Sequence, residues 1–141
     1  MKKLVVIVLL GFIAILSSCK VSPHTIKKMR EKYMDDQNYV ALSGEIIEIE
    51  EKIEIDVYEI DIKCEEIGNY ISYQSSICSY HIFSKEILDL NIGDTIDFVT
   101  VPYHFFNGHN LPIVEVKMNG NTLLNIYDGK TNLMEWVNSL K

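Results

Sequence analysis

The sequence predicts a mainly β protein: a small antiparallel barrel with a short helix near each end, preceded by a helical apolar leader. Three observations predict it. Apolar and polar residues alternate through much of the span 39–126, the period of strands with one buried face. Glycine beside asparagine or aspartate recurs between those runs, at Gly68-Asn69, Gly93-Asp94, Asn107-Gly108 and Asn119-Gly120, and marks turns. Helical spacing follows the leader at two places only, Ile26/Met29/Tyr33 and Leu133/Trp136/Val137/Leu140.

The leader begins Met1-Lys2-Lys3 and continues as an uncharged run of 13 residues, Leu4 to Leu16, broken only by Gly11. As a helix that run covers roughly 20 Å, short of the ~30 Å hydrocarbon core of a bilayer. Positive residues, a short apolar core and small residues at its end make an export signal rather than a permanent span. Leu16-Ser17-Ser18-Cys19 resembles the lipobox of bacterial lipoproteins: an aliphatic residue, two small residues, then cysteine. The resemblance implies a signal peptide over 1–18, cleaved before Cys19, whose sulfur carries a diacylglycerol (palmitate-type) lipid. Residues 19–38 are then anchor, tether and short helix, and 39–141 the barrel-like domain with its C-terminal helix. Lys20 stands where the lipoprotein class places aspartate for inner-membrane retention. The resemblance therefore implies the outer membrane of a two-membrane cell, or the outer face of the plasma membrane in a one-membrane cell.

Removing the leader leaves 123 residues with 11 basic and 20 acidic side chains, a net charge of −9. That is enough chain for one domain with a core. So acidic a chain is unsuited to nucleic acid, which is held by Lys and Arg on phosphates. The basic cluster Lys27-Lys28, Arg30 and Lys32 lies near the anchor, where it either faces anionic headgroups or is a solvated helix face. Once Cys19 is assigned to lipid, Cys64 and Cys78 remain. A disulfide between them would close a loop of about 15 residues, worth roughly 3 kcal/mol in the chain-entropy view. Two buried thiols are the equal alternative. No Cys-x-x-Cys pair suggests redox catalysis.

Ser22-Pro23 reads as a cap and first helical residue, starting a helix over about 24–35. Tyr39 to Glu50 is a long strand with Gly44 inside it, a bulge or bend signal, and Glu51-Lys52 a turn. Ile53 to Cys64 is the second strand. Its apolar phase slips between Val57 and Tyr58, which implies a bulge or burial of both faces. Residues 70–83 are less regular, with a polar break at Gln74-Ser75-Ser76 before Ile77–Phe83. Ser84 is expected to cap a short helix through Leu88 or Leu90. Thr95–Tyr103, Leu111–Met118 and Thr122–Ile126 are the later strands, with a hairpin at Asn107-Gly108. Asp128-Gly129 reads as the last turn, and Asn132 with Glu135 as the capping box of the final helix.

Strand, strand, strand, short helix, strand, strand, with Gly44 and the segment Leu90-Asn91-Ile92-Gly93-Asp94-Thr95-Ile96, resembles the OB-fold over residues 39–118. A sixth strand and a terminal helix depart from the minimal version of that fold.

The candidate contact residues flank Asn107-Gly108: His104, Phe105, Phe106 and His109. Neighbours in a hairpin face opposite ways, so one of the two phenylalanines is expected at the surface. The OB resemblance makes this loop a ligand-binding rim. The alternative is that both phenylalanines pack under the terminal helix. Two histidines beside one turn could hold a metal with Asp97 or His81, but nothing fixes a third ligand, so no metal is assigned. Glu45, Glu48, Glu50, Glu51, Glu54, Asp56, Glu59, Asp61, Glu65 and Glu66 interleave with Ile and Val, and read chiefly as a solvated guard against aggregation. No nucleophile elbow, dinucleotide or phosphate-loop motif is present, and no catalytic residue is assigned. The resulting expectation is a lipid-anchored, non-catalytic module that binds a protein, peptide or glycan through 104–110, with no cofactor beyond the acyl lipid. A second reading is an immunity or inhibitor protein that meets a basic toxin or hydrolase with its acidic strands. A third, an envelope enzyme, would need a pocket gathering His104 or His109 with carboxylates.

Overall fold

Ser22 opens the first helix as its side chain accepts a hydrogen bond from the Thr25 N–H at 3.2 Å, with Pro23 in the first turn. In the computed structural model this helix, α1, spans Pro23–Met34 and buries Ile26, Met29 and Tyr33, the three residues at helical spacing. The structure describes residues 21–52, 57–71 and 76–140. The leader, Cys19, Glu54, Asp56 and the Gln74-Ser75 part of the polar break lie outside them. Among the described residues no helix is long and apolar enough to cross a membrane.

A 3-10 turn at Asp36–Asn38 leads into β1, Val40–Lys52. β2 is Val57–Lys63, β3 Ile77–Phe83, β4 Thr95–Thr100, β5 Leu111–Met118 and β6 Asn121–Leu124, and α2 is Ile126–Ser139. The strand order is β3-β2-β1-β4-β5-β6, and a parallel pairing of β3 with β5 joins the ends of the first five. The result is a closed five-stranded barrel of OB-like order with one extra strand and two short helices. Closure removes the open edges that a flat sheet of these strands would expose.

β1 can serve two neighbours because it is long. Val40–Glu45 pairs with β4, and Glu45–Lys52 pairs with β2. At the changeover stands Gly44, where a Cβ would fall 2.5 Å from Ile62 Cγ2 and 2.7 Å from the Lys63 carbonyl. Just beyond it the register skips Ile47, a bulge that bends the strand around the barrel. The turn Asn91–Asp94 is clamped onto this bend: Gly93 N–H donates to the Ile46 carbonyl and Ile46 N–H to the Asp94 carbonyl, each at 2.8 Å.

The Val57/Tyr58 slip is burial of both faces, not a bulge. The β2–β3 register runs unbroken. Tyr58 joins the barrel interior with Ile46, Ile60, Ile62, Tyr80, Ile82 and Phe98. Val57 joins a second core with Phe83, Val101, Val114, Leu133 and Val137, where the two helices cover the outside of the wall. Leu111, Pro112, Ile113 and Val114 of β5 are buried consecutively for the same reason.

Several predicted elements change. Glu51 and Lys52 continue β1, opposite Tyr58 and Val57, instead of turning. Residues Ser84–Leu90 form no helix. Ser84 Oγ accepts from the Glu86 N–H at 3.2 Å and donates to its carbonyl at 2.8 Å, a local turn. Leu88 and Leu90 then both enter the core while Ile87 and Asp89, on either side of Leu88, are exposed, the alternation of extended chain. The final helix is capped seven residues earlier than predicted, by Asn125, which accepts from the Asp128 N–H at 2.9 Å. Asp128 and Gly129 are therefore helical. Asn132 sits mid-helix and donates to the Phe83 carbonyl at 3.0 Å.

Candidate binding groove at the 101–110 loop

β4 stops at Thr100, earlier than predicted, because the buried Thr100 hydroxyl donates to the Pro112 carbonyl at 2.7 Å and the chain leaves the ladder there. The predicted tight hairpin is thus a turn inside a ten-residue loop, 101–110. Tyr103 N–H donates to the Val101 carbonyl at 2.9 Å, and His109 N–H to the Phe106 carbonyl at 3.1 Å. Gly108 has φ +79°, a left-handed conformation that glycine adopts without strain. His104 Nδ1 donates to the His109 carbonyl at 2.8 Å and ties the neck of the loop.

The four candidate residues are brought together, and they divide into supports and surface. Phe105 is half-buried, edge-on to Tyr33 of α1 at 5.5 Å between ring centroids and to Tyr103 at 4.7 Å. It therefore packs beneath the first helix, against the core that both helices cover. His109 is buried, 5.6 Å from the Phe105 ring and 4.8 Å from the Phe106 ring. Its Nε2 lies 3.3 Å from the Tyr33 hydroxyl. Phe106 is the exposed one of the pair, at 39%. Tyr33 is a support that its helical spacing identifies only as core. It also accepts a hydrogen bond from the Tyr39 hydroxyl on its carbonyl, at 2.7 Å.

Burial keeps His109 and Tyr33 uncharged. Burial pushes the His109 imidazole down to about 4, and the neighbouring His104 and His81 rings press the same way against a weaker opposite pull from the Tyr103 backbone. Burial drives the Tyr33 hydroxyl in the opposite direction, well above the usual phenol range. His109 and Tyr33 therefore offer hydrogen-bonding groups and ring faces rather than charge at neutral pH.

The loop faces the start of β3 across an open cavity of about 720 Å3. Ile71, Ile77, Ser79, Phe106, His109 and Asn110 are among its walls. Ile77 is 43% exposed, so apolar side chains stand at the surface on both sides of the cavity. The Asn110 side-chain amide is 2.9 Å from His81 Nε2, which is 3.2 Å from Glu59 Oε1, joining the loop's end to β3 and β2. Ile71, Ile77, Ser79 and Asn110 escape a reading of the sequence because their role depends on which strand lies beside β3. Only the exposed phase of Ile77 next to buried Cys78 hints at it.

His81 is at the cavity's margin and Asp97 is on β4. Among the described residues no three His, Cys, Asp or Glu side chains gather as a metal would require. Cys64 and Cys78 are both buried free thiols. The register sets Ile62, not Cys64, across from Cys78, so the two thiols are diagonal. Burial, then the nearby Cys64, raises the Cys78 thiol above its ordinary value. The acidic strands face outward, with Glu48 opposite Asp61 and Glu50 opposite Glu59. The basic cluster of α1 is partly engaged: Arg30 Nε donates to Asn138 of α2 at 2.9 Å, and Lys32 Nζ sits 4.2 Å from the centre of the Tyr103 ring. The chain matches no protein-family model, no curated protein and no solved structure.

Proposed function

We propose that the mature protein is a lipid-anchored module of the cell envelope that binds a protein, peptide or glycan in the groove between the 101–110 loop and β3, without catalysis. The observation that carries this reading is the cavity of about 720 Å3. Its loop wall is held by its own aromatic cluster, from Tyr103 to His109, on Tyr33. A wall fixed before binding spends little free energy on ordering when a ligand arrives. The described walls carry two histidines and no carboxylate, whereas the acid–base enzyme reading needs both. Anchorage rests on the lipobox-like Leu16-Ser17-Ser18-Cys19. Each acyl methylene adds about 0.8 kcal/mol on burial, so two or three chains hold the protein stably.

Two measurements test the reading. Cys19→Ala is expected to leave uncleaved precursor without lipid label, seen by intact mass; normal processing of that variant would remove the anchor. Phe106→Ala is expected to weaken capture of envelope peptides or glycans by about tenfold, as loss of an aromatic anchor does. Equal capture by the variant would move the site elsewhere.

A second reading has its own support. Like charges directly opposite each other, Glu48/Asp61 and Glu50/Glu59, cost stability in an isolated sheet. A basic toxin or hydrolase would relieve that cost, as an immunity protein's partner does. Reversal to lysine at Glu48 and Glu50 would then abolish partner binding while Phe106→Ala would not.

A further inference from the structure

We propose that the groove takes an extended peptide, which adds as a strand to the cavity-side edge of β3. This rests on the groove being the binding site and names its occupant.

The main chain of β3 carries the inference. β5 runs alongside β3 only from Tyr80 to Ile82, paired with Leu111 to Ile113. His81 is matched to Pro112, which has no N–H. The parallel ladder must therefore be built on the N–H and carbonyl of His81, with Leu111 and Ile113 on the other side. On a strand, residues two apart turn their main-chain groups the same way. Ser79 thus directs its N–H and carbonyl to the side that β5 would occupy if it began two residues earlier. The opposite phase agrees: Cys64 N–H donates to the Ser76 carbonyl at 2.9 Å, so Ser76 and Cys78 face β2. Among the described residues, what stands beside Ser79 is the cavity, because the chain before Leu111 bows outward as the 101–110 loop. Ser79 is exposed, and its hydroxyl is committed to Asp61 at 2.5 Å.

A peptide laid in line with β5 continues an existing ladder, so its backbone meets groups already spaced for a strand. Side chains on one face of the peptide meet exposed Ile77 and Phe106. Charge selects further residues on that same face, because Ile77, Ser79 and Asp61 share one side of the sheet. Asp61 lies across from Ser79 on β2, and Glu48 across from Asp61 on β1. The added strand would be two strand spacings from Asp61, about 10 Å, a gap that a lysine or arginine can span. The occupant is therefore an extended segment that carries apolar and basic residues on one face, at every second position. A glycan has no main chain of N–H and carbonyl groups at strand spacing to offer Ser79.

The test uses the mature lipidated protein in detergent, isotope-labelled, with amide exchange read residue by residue. The probe is a capped octapeptide, Lys-Thr-Val-Thr twice over, which sets lysine and valine on one face with threonine between. Two further forms are N-methylated, one on each set of alternate amides. The peptide is expected to slow exchange at Ser79 by about tenfold or more. One N-methylated form loses binding and the other keeps it. Ser79→Pro removes the donor that faces the cavity and no bond to β2, and is expected to weaken binding by about tenfold. Should that variant unfold, the methylated peptides carry the test. Unchanged exchange at Ser79, or equal binding by all three peptides, overturns the proposal. If the peptide fails while chitohexaose shifts Phe106 and Asn110, strand addition is wrong and the groove stands. If neither shifts those residues, both fall. Protection of Ser79 that grows with protein concentration alone would identify a second copy as the occupant and overturn the peptide.

Discussion

His109 illustrates how one buried side chain makes stability depend on pH. Its imidazole ionises at about 4 in the fold and near 6.5 when exposed. Below pH 6.5 the unfolded chain takes up a proton that the folded ring refuses, so stability falls as pH drops from 6.5 to about 4. Above 6.5 the two states hold the same proton count and the effect is absent. The full loss is on the order of 3 kcal/mol at the acid end. Denaturant titrations at pH 7 and 4.5 should show this loss in the wild type and a smaller one in His109→Gln. Identical pH slopes in the two proteins would deny the ring its role. The position was legible in the sequence only as a histidine beside a turn. That it is a buried support while Phe106 is the surface group depends on Tyr33, 76 residues away. No local pattern encodes a partner at that distance.

At the scale of elements, the approach of α2 to β5 depends on Gly129. A Cβ there would fall 1.8 Å from the Val114 carbonyl oxygen, so no side chain fits without moving the helix. Gly129→Ala is expected to cost about 2–4 kcal/mol, the range for overpacking a core that must shift its backbone. A melting temperature within a degree or two of wild type would show the contact to be soft. The same glycine explains a misplaced boundary. Two segments spell an N-cap followed three residues later by an acid, Asn125 to Asp128 and Asn132 to Glu135. Local chemistry ranks them equally. The first is used because starting there carries Gly129 onto Val114 and buries Leu133 and Val137 in the same turn sequence. Alternation is the more reliable guide: it finds each later strand, Leu111–Met118 with both ends in place and the others with ends at most three residues out. Ser84–Leu90 failed the other way. A serine before an acidic, leucine-containing stretch satisfies helix rules, yet Leu88 and Leu90 have a core to enter only if the chain is extended. The edge at Ser79 was invisible for a related reason, since it exists only because β5 begins pairing at Leu111.

For the whole molecule, net charge sets the terms of stability and solubility. The chain carries −7 overall, and the β1–β2 wall concentrates carboxylates in facing pairs. Exposed like charges repel over a Debye length, about 10 Å at 0.1 M salt and about 3 Å at 1 M. Melting temperature is therefore expected to rise by a few degrees from low salt to 0.5 M sodium chloride, and Glu50→Lys to remove part of that rise. A salt-independent melt would mean that the facing pairs are already compensated. Such repulsion also discourages strand-to-strand aggregation, which favours keeping it. Helix α1 has a consequence of another kind. Its first residue is four positions after Cys19, and Tyr33 near its far end holds the contact loop. Twelve helical residues measure about 18 Å. Under the proposed lipid anchor on Cys19, a helix standing away from the bilayer would act as a spacer bar between that fixed point and the 101–110 loop, longer than the roughly 8 Å over which headgroup charge is felt in physiological salt. A visiting chain would then meet the loop beyond the reach of the lipid surface.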